Sequence, residues 1–176
     1  MSAHWGVHPR IEADLLVEVG DRAINQARTE AEVLAHLAVL YPFIELPDLV
    51  VADPDRLTRA LILAINVGTR YGVLGAPLPV ESLGTTPEDQ LNALAEMQVE
   101  ARDQTGRMLL SAPGRTILGH PLRSVLWLLA QGERFQPGDL ISLGAFGPLL
   151  TPKTGMTVTV SYRGLPGDPA VSVGFE

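Results

Sequence analysis

The sequence contains no cysteine and only one lysine among its 176 residues. The absence of cysteine excludes disulfides, thiolate metal ligands and a thiol nucleophile. Because Lys153 is the sole lysine, a mechanism that needs an internal ammonium group has a single candidate. Positive charge is scarce overall, and the net charge of −7 gives a nucleic-acid-binding role no electrostatic basis.

Long apolar runs are also missing. The first ten residues, MSAHWGVHPR, contain no apolar signal core, and no run approaches the length of a transmembrane helix. The chain as given is therefore predicted to be cytoplasmic and to have no membrane partner. A strand-like pattern starts as early as Ile11, which raises the possibility of a fragment or a shortened member of a family.

Apolar and turn-forming residues are plentiful. The hydrophobic fraction is 46%, with 17 glycines and 14 prolines, which indicates one domain over residues 1–176 with a sizeable core and many short elements. IEADLLVEV near the start and MTVTVSY near the end alternate as strands do, whereas HPLRSVLWLLAQ has a helical period. Strands and helices mix without a strict βαβ rhythm, which predicts an α+β fold with a mixed or antiparallel sheet.

Local signals predict where other helices begin. Thr29 and Glu32 have the spacing of a capping box, and apolar residues with a helical period follow until Pro42. Asp53, followed by proline, predicts a second helix that ends near Gly68. Residues 87–101 start like a helix and end like a strand, so both alternatives stay open. DQTG at 103–106 predicts a hairpin turn.

Three acidic residues in strand-like segments are the candidate metal ligands. Glu45 sits inside the apolar stretch YPFIELPDLV, where an unpaired carboxylate has a large desolvation cost. Glu12 and Asp14 are two residues apart on a predicted strand, so their side chains leave the same face. Such oxygen ligands suit Mg²⁺ or Mn²⁺ better than zinc. The alternative is that Glu12, Asp14 and Glu18 form only the solvated face of an edge strand.

Other polar residues give weaker signals. Asn66 and Gly68, in AINVGTRYGVLG, could bring backbone close to a substrate, although turn geometry also accounts for the glycine. No nucleotide-binding glycine pattern is present. The histidines give no motif that assigns a catalytic residue, and His36 and His120 fit surface or structural roles. The catalytic residues are therefore left unassigned.

The order of several segments resembles a known family. IEADLLVEV, YPFIELPDLV, INVGTRYGVLG, LGHPLRSVLWLL, QPGDLISLGAF and PKTGMTVTV follow one another over nearly the whole chain. This ordered set resembles the 2-keto-4-pentenoate hydratase group of the fumarylacetoacetate hydrolase-like superfamily, which also includes 4-oxalocrotonate decarboxylases. No single segment is specific alone, but the ordered set is.

The resemblance implies a fold, a metal and a substrate class. The fold would be a mixed β-roll of the fumarylacetoacetate hydrolase C-terminal type with a few flanking helices. The family's E-x-E pair falls on Glu12 and Asp14, and its later glutamate on Glu45, which implies Mg²⁺ (or Mn²⁺) at these residues. Asp14 is one methylene shorter than the glutamate it replaces. The implied reaction is hydro-lyase-like, on a short 2-keto (2-hydroxydienoic) acid.

The chain also departs from the family pattern. The usual N-terminal portion, with a GYK-x-GLT-like motif whose lysine lies near metal and substrate, is absent from this sequence, and Lys153 does not match its position. The alternatives are therefore a shortened, non-catalytic ligand-binding relative, or an enzyme repurposed as a decarboxylase, isomerase or cyclase. Uncovered strand edges predict a homodimer or higher homo-oligomer. Relatives with similar wording often begin with an export signal, so a periplasmic location is the alternative compartment.

Overall fold

The computed structural model spans residues 1–176 and describes all of them apart from the side chain of Asp55. The strands are β1 (Glu12–Val19), β2 (Leu37–Leu46), β3 (Tyr71–Leu74), β4 (Leu78–Pro79), β5 (Gln98–Asp103), β6 (Met108–Pro113), β7 (Leu140–Ser142), β8 (Thr157–Arg163) and β9 (Ala170–Gly174). The α-helices are α1 (Glu30–Leu34), α2 (Arg59–Ala64), α3 (Pro87–Glu96) and α4 (Arg123–Ala130). Short 3-10 turns occupy Arg22–Gln26, Pro54–Arg56, Asn66–Gly68, Val80–Leu83 and Gly114–Thr116.

The strands form two antiparallel sheets that share one core. The first sheet has the order β3-β2-β1-β7, with β4 also paired to β2, and the second has the order β6-β5-β8-β9. Leu15 and Ile44 of the first sheet belong to the same buried cluster as Val99 and Val160 of the second. The predicted α+β class is confirmed, and every strand pair named here is antiparallel.

Strand β1 lies inside the first sheet, between β2 and β7. Ala13, Leu15 and Val17 are buried on the face that meets the core, as the alternation predicts. Glu12 and Asp14 point to the opposite face. Because β1 is hydrogen-bonded on both sides, the alternative of an edge strand with a solvated acidic face does not hold for this segment.

The predicted helix after Thr29 is shorter than expected. Thr29 and Glu32 form the capping box, but α1 ends at Leu34. Leu37 and Leu40, which fit the helical period, belong to β2 and are buried there. The extended pairing of β2 along β1 outweighs the local helical period, because it buries one complete face of the strand.

The helix predicted from Asp53 to Gly68 is divided. A 3-10 turn covers Pro54–Arg56, and α2 then restarts at Thr58, whose hydroxyl accepts a hydrogen bond from the Leu61 N–H at 3.3 Å. No residue of α2 is buried.

Both alternatives for residues 87–101 are partly correct. Helix α3 begins after Thr86, which forms a capping box with Asp89, and β5 follows at Gln98. The predicted turn at 103–106 joins β5 to β6. His120 precedes α4, and its Nδ1 accepts a hydrogen bond from the N–H of Leu122 at 3.2 Å. None of the described helices is both long and apolar enough to cross a membrane.

Candidate metal centre

Two of the predicted ligands face each other across the first sheet. In the antiparallel register of β1 and β2, Glu12 lies directly opposite Glu45. Opposed residues on neighbouring strands project from the same face, and like charges in that position repel. Asp14 is two residues further along β1, so it shares that face. We call Glu12, Asp14 and Glu45 the acidic cluster.

Asp14 is the most buried member of the acidic cluster, with no exposed surface. Its Oδ1 accepts hydrogen bonds from the N–H groups of Leu15, at 2.6 Å, and Gly144, at 3.0 Å. Its Oδ2 accepts a hydrogen bond from the Ser142 hydroxyl. Asp14 therefore ties β1 to the end of β7 and to the turn that follows it.

Glu12 and Glu45 are only partly exposed and have fewer partners. Glu45 Oε1 accepts a hydrogen bond from the Thr69 hydroxyl at 2.9 Å. The Glu12 carboxylate has no hydrogen-bond partner among the described residues. No ion pair of the described side chains includes a member of the acidic cluster, so its negative charge is not compensated from within the chain.

Burial and the nearby carboxylates together raise the pKa values of Glu12 and Asp14. Burial, together with the charges of Glu45 and Asp14, raises the pKa of Glu12 from 4.5 to about 7. Burial also raises the pKa of Asp14 from 3.8 to about 6, although its hydrogen bonds from Ser142, Leu15 and Gly144 act in the opposite direction. A bound cation would favour the ionised forms of both groups.

The donor chemistry of the acidic cluster fits a hard divalent ion in part. Carboxylate oxygens are the ligands that Mg²⁺ and Mn²⁺ prefer, and Glu12 and Glu45 both keep oxygens without a hydrogen-bond donor among the described residues. However, no group of three or more His, Asp or Glu side chains in the described part of the chain has the arrangement of a metal site. The three-ligand assignment from the sequence stays a prediction.

The predicted substrate-binding residues lie in a left-handed turn beside Glu45. Asn66, Val67 and Gly68 have φ values of 50°, 50° and 77°. This conformation is rare for a β-branched residue such as Val67. The carbonyl of Gly68 accepts a hydrogen bond from Asp48 N–H at 2.8 Å, and the turn leads directly to Thr69. The side chain of Asn66 is exposed, and a substrate contact by Asn66 or Gly68 stays a prediction.

A tyrosine from the second sheet also reaches the acidic cluster's strands. Tyr162 is fully buried, and its hydroxyl donates a hydrogen bond to the carbonyl of Asp14 while accepting one from Phe43 N–H at 3.1 Å. The hydroxyl therefore lies between β1 and β2 at the paired residues Asp14 and Phe43. The alternation of MTVTVSY places Tyr162 on the core face, but no sequence signal reveals this partner. Thr69, Ser142 and Gly144 were missed for the same reason.

Other ionisable groups of the described chain are engaged elsewhere. Asp48 is 2% exposed and accepts hydrogen bonds from the His8 N–H at 2.8 Å and from Arg70 Nη1 at 2.5 Å. Glu18 accepts a hydrogen bond from the Tyr41 hydroxyl at 2.7 Å. Lys153 lines a cleft of about 480 Å³ near the β5–β6 turn, with no member of the acidic cluster in its lining.

The chain is similar in sequence to known hydratases, although no protein-family model matches it. It is 25% identical over 164 residues to 2-keto-4-pentenoate hydratase 1 of Dechloromonas aromatica (strain RCB), and 27% identical over 163 residues to hydratase 2 of the same organism. Each alignment covers 90% of this chain but only 58% of the relative, so the chain spans little more than half the length of these hydratases.

Solved structures share the fold over almost the whole chain. A 4-oxalocrotonate decarboxylase from Pseudomonas putida G7, complexed with magnesium and adipate, has a TM-score of 0.78 at 23% identity and covers 97% of this chain and 61% of its own. Yeast ynq8, a fumarylacetoacetate hydrolase family protein, has a TM-score of 0.68 at 16% identity and covers 97% and 68%. The chain has the fumarylacetoacetate hydrolase-like fold and is a distant homologue of the 2-keto-4-pentenoate hydratases. The resemblance found in the sequence is confirmed.

Divalent ions occur in several solved structures with this fold. Besides the magnesium complex, a second structure of the Pseudomonas putida G7 decarboxylase contains calcium and acetate. A fumarylpyruvate hydrolase from Pseudomonas aeruginosa is complexed with Mn²⁺ and pyruvate, at a TM-score of 0.65 and 14% identity, and covers 98% of this chain and 69% of its own.

Proposed function

We propose that this chain binds Mg²⁺ or Mn²⁺ at the acidic cluster and uses the ion to bind a short 2-keto acid, as a hydratase-like lyase would. The observation that carries the proposal is the direct opposition of Glu12 and Glu45 on adjacent strands. Their repulsion is not relieved by any ion pair of the described chain. Opposed, uncompensated carboxylates are the arrangement that a divalent cation stabilises.

The chain's own residues have distinct parts in this proposal. Glu12 and Glu45 would hold the ion, and the Thr69 hydroxyl fixes the orientation of Glu45. When bound, the ion supplies Lewis-acid polarisation of the 2-oxo group of the substrate. Hydration and decarboxylation of such acids both use that polarisation. The hydratase-like reaction is preferred because two hydratases are among the relatives.

A ligand-binding role without turnover is the second candidate, and one observation favours it. Hydration needs a positioned acid or base in addition to the ion. Within the described chain, no histidine or lysine is hydrogen-bonded or ion-paired to the acidic cluster. His36 instead contacts Asp21 at 2.9 Å, and His120 contacts the carbonyl of Leu91 at 3.1 Å.

Two measurements separate these candidates. Binding of oxalate or pyruvate should require Mg²⁺ in either case, and loss of 2-hydroxypenta-2,4-dienoate absorbance reports turnover. Rapid Mg²⁺-dependent turnover that Glu12→Gln abolishes would establish the enzyme. Mg²⁺-dependent binding with slow or no turnover would establish the ligand-binding role. Oxalate binding that is indifferent to Mg²⁺ would refute the metal-centred proposal.

We also propose that the chain forms a homo-oligomer, most simply a twofold dimer. Apolar side chains of α2 and the neighbouring segment are exposed, including Leu63 at 75% and Val67 at 53%. The adjacent β3 is an edge strand that exposes Tyr71. An exposed apolar patch beside a free strand edge supports association with a second copy. A monodisperse monomer at micromolar concentration in light scattering would contradict this.

A further inference from the structure

We infer that Asp14 shapes the metal site without coordinating the ion, so that Glu12 and Glu45 are its only ligands among the described residues. The inference rests on the proposed metal-binding function and deepens it. It gives Asp14 a role that differs from that of Glu12 and Glu45, whereas the sequence predicts the same role for all three. Asp14 is also the residue that stands where the family that the sequence resembles has a glutamate.

The hydrogen bonds of Asp14 leave little capacity for an ion. A carboxylate oxygen accepts about two hydrogen bonds. Oδ1 already accepts two, from the N–H groups of Leu15 and Gly144, at 2.6 and 3.0 Å. Oδ2 accepts one from the Ser142 hydroxyl. An ion could bind only at the remaining position of Oδ2, or by displacing a donor that would then be buried without a partner.

Access from solvent distinguishes Asp14 from the two glutamates. Asp14 has no exposed surface, whereas Glu12 and Glu45 are partly exposed. A hydrated ion can therefore reach both glutamates directly. To reach Asp14, it would have to lose more of its water and open the contacts between β1 and the β7 turn. Mg²⁺ gives up its water reluctantly, which makes that route unfavourable.

The contacts of Asp14 have a clear structural purpose. The N–H of Leu143 donates to the carbonyl of Leu15 at 3.0 Å, and the N–H of Phe146 donates to the carbonyl of Ala13 at 2.9 Å, so the chain bulges between them at Gly144, where φ is 107°. The Asp14 carboxylate accepts hydrogen bonds from the N–H groups of Leu15 and Gly144 within this bulge and so holds it against β1. Asp14 thus fixes the part of β1 that carries Glu12.

Two ligands instead of three change the chemistry of the centre. Mg²⁺ is commonly held by one or two carboxylates, with water and substrate oxygens at the other positions. Two monodentate carboxylates leave about four of six octahedral positions for substrate and water, whereas three would leave about three.

Mn²⁺ titration followed by electron paramagnetic resonance tests this inference. Asp14→Asn keeps the shape, because its amide oxygen accepts from both N–H groups and its amide nitrogen donates to Ser142 Oγ. We expect this change to weaken Mn²⁺ binding less than about tenfold, since a charge that does not coordinate the ion acts on it only through space. Glu12→Gln and Glu45→Gln should each weaken it more than about a hundredfold, since each removes a direct ligand. Glu18→Gln, a change on the same strand face outside the acidic cluster, is the matched control.

Water-proton relaxation gives a second test, because it counts the water molecules bound to Mn²⁺ in the wild type itself. In the wild type, bound Mn²⁺ should keep about four inner-sphere waters if two monodentate carboxylates coordinate it, and about three if Asp14 also does. The count should be unchanged in Asp14→Asn. A count of three, or a loss of affinity in Asp14→Asn equal to that in Glu12→Gln, would overturn the inference and leave the proposed function intact. No saturable Mn²⁺ binding by the wild type would overturn both.

Discussion

Two acidic sites lie near the same end of β2, and the chain treats them differently. Asp48 is 2% exposed, but it accepts hydrogen bonds from His8 N–H and from the Arg70 guanidinium. Glu45, a few residues earlier, faces Glu12 instead of a cation. Because the Arg70 guanidinium offsets the negative charge of Asp48, we interpret Asp48 as a structural carboxylate. The lack of compensation at the acidic cluster is the property expected of a site that a cation from solvent completes.

The largest expected effect comes from removing the compensated carboxylate. Asp48→Ala should lower the free energy of unfolding by about 3 kcal/mol, because it leaves the His8 N–H without its acceptor and removes a charged hydrogen bond. Urea denaturation measures the loss. The increase in stability on adding Mg²⁺ should be the same as in the wild type. If that increase disappears, the two sites are not separate and the comparison fails.

A change at the uncompensated site should act in the opposite direction. Glu45→Gln removes the charge opposite Glu12, so the metal-free protein should become more stable by up to about 1 kcal/mol. In the wild type, Mg²⁺ at a hundred times its Kd should add about 2.7 kcal/mol by binding only the native state. Glu45→Gln should abolish this gain. Differential scanning calorimetry with and without Mg²⁺ measures both effects, and an unchanged Mg²⁺ response would contradict the assignment of Glu45.

The dependence of stability on pH gives a further test of the comparison. The folded-state pKa values of Glu12, about 7, and Asp14, about 6, lie above their unfolded values of 4.5 and 3.8. Between these values the folded chain binds more protons than the unfolded chain, so its stability should fall as pH rises from about 4 to about 7.

Metal and mutation should both reduce this pH dependence. The stabilisation by Mg²⁺ should grow over the same range, because protons no longer compete with the ion for Glu12. Glu12→Gln should flatten the pH profile of the metal-free protein. A profile that rises from pH 4 to pH 7 and is unaffected by Glu12→Gln would mean that the carboxylates of the acidic cluster are not crowded in solution.

The smallest effect is expected at Glu18, on the same face of β1. Glu18 lies roughly 13 Å along the strand from Asp14, at about 3.3 Å per residue, and accepts a hydrogen bond from the Tyr41 hydroxyl. Glu18→Gln should change stability by less than about 1 kcal/mol, because the amide can still accept that hydrogen bond. Metal affinity should stay the same. A large loss of affinity would extend the metal site beyond the acidic cluster.

Much of the fold follows from local patterns in the sequence. The alternation in β1 and β8, the capping box at Thr29 and the turn at 103–106 are each set by a few neighbouring residues. The errors arose where tertiary pairing decided between local options. Leu37 and Leu40 fit a helical period, but pairing with β1 places them in β2.

The candidate site could be predicted only in part. Side-chain parity placed Glu12 and Asp14 on one face, because that depends only on the period of a strand. The opposition of Glu12 and Glu45 depends on the register between two strands, which local patterns do not set. The burial of Asp14 depends on Ser142 and Gly144, far along the chain.

Calorimetric titration of the metal-free wild-type chain with Mn²⁺ at pH 8 tests the central claim most directly. At this pH, above the raised pKa of Glu12 at about 7, the Glu12 carboxylate is ionised and ready to bind. We expect saturable binding of one ion per chain, lost in Glu45→Gln and retained in Asp48→Asn, which keeps the acceptor for the His8 N–H. Absence of saturable binding in the wild type, or equal binding in Glu45→Gln, would contradict it.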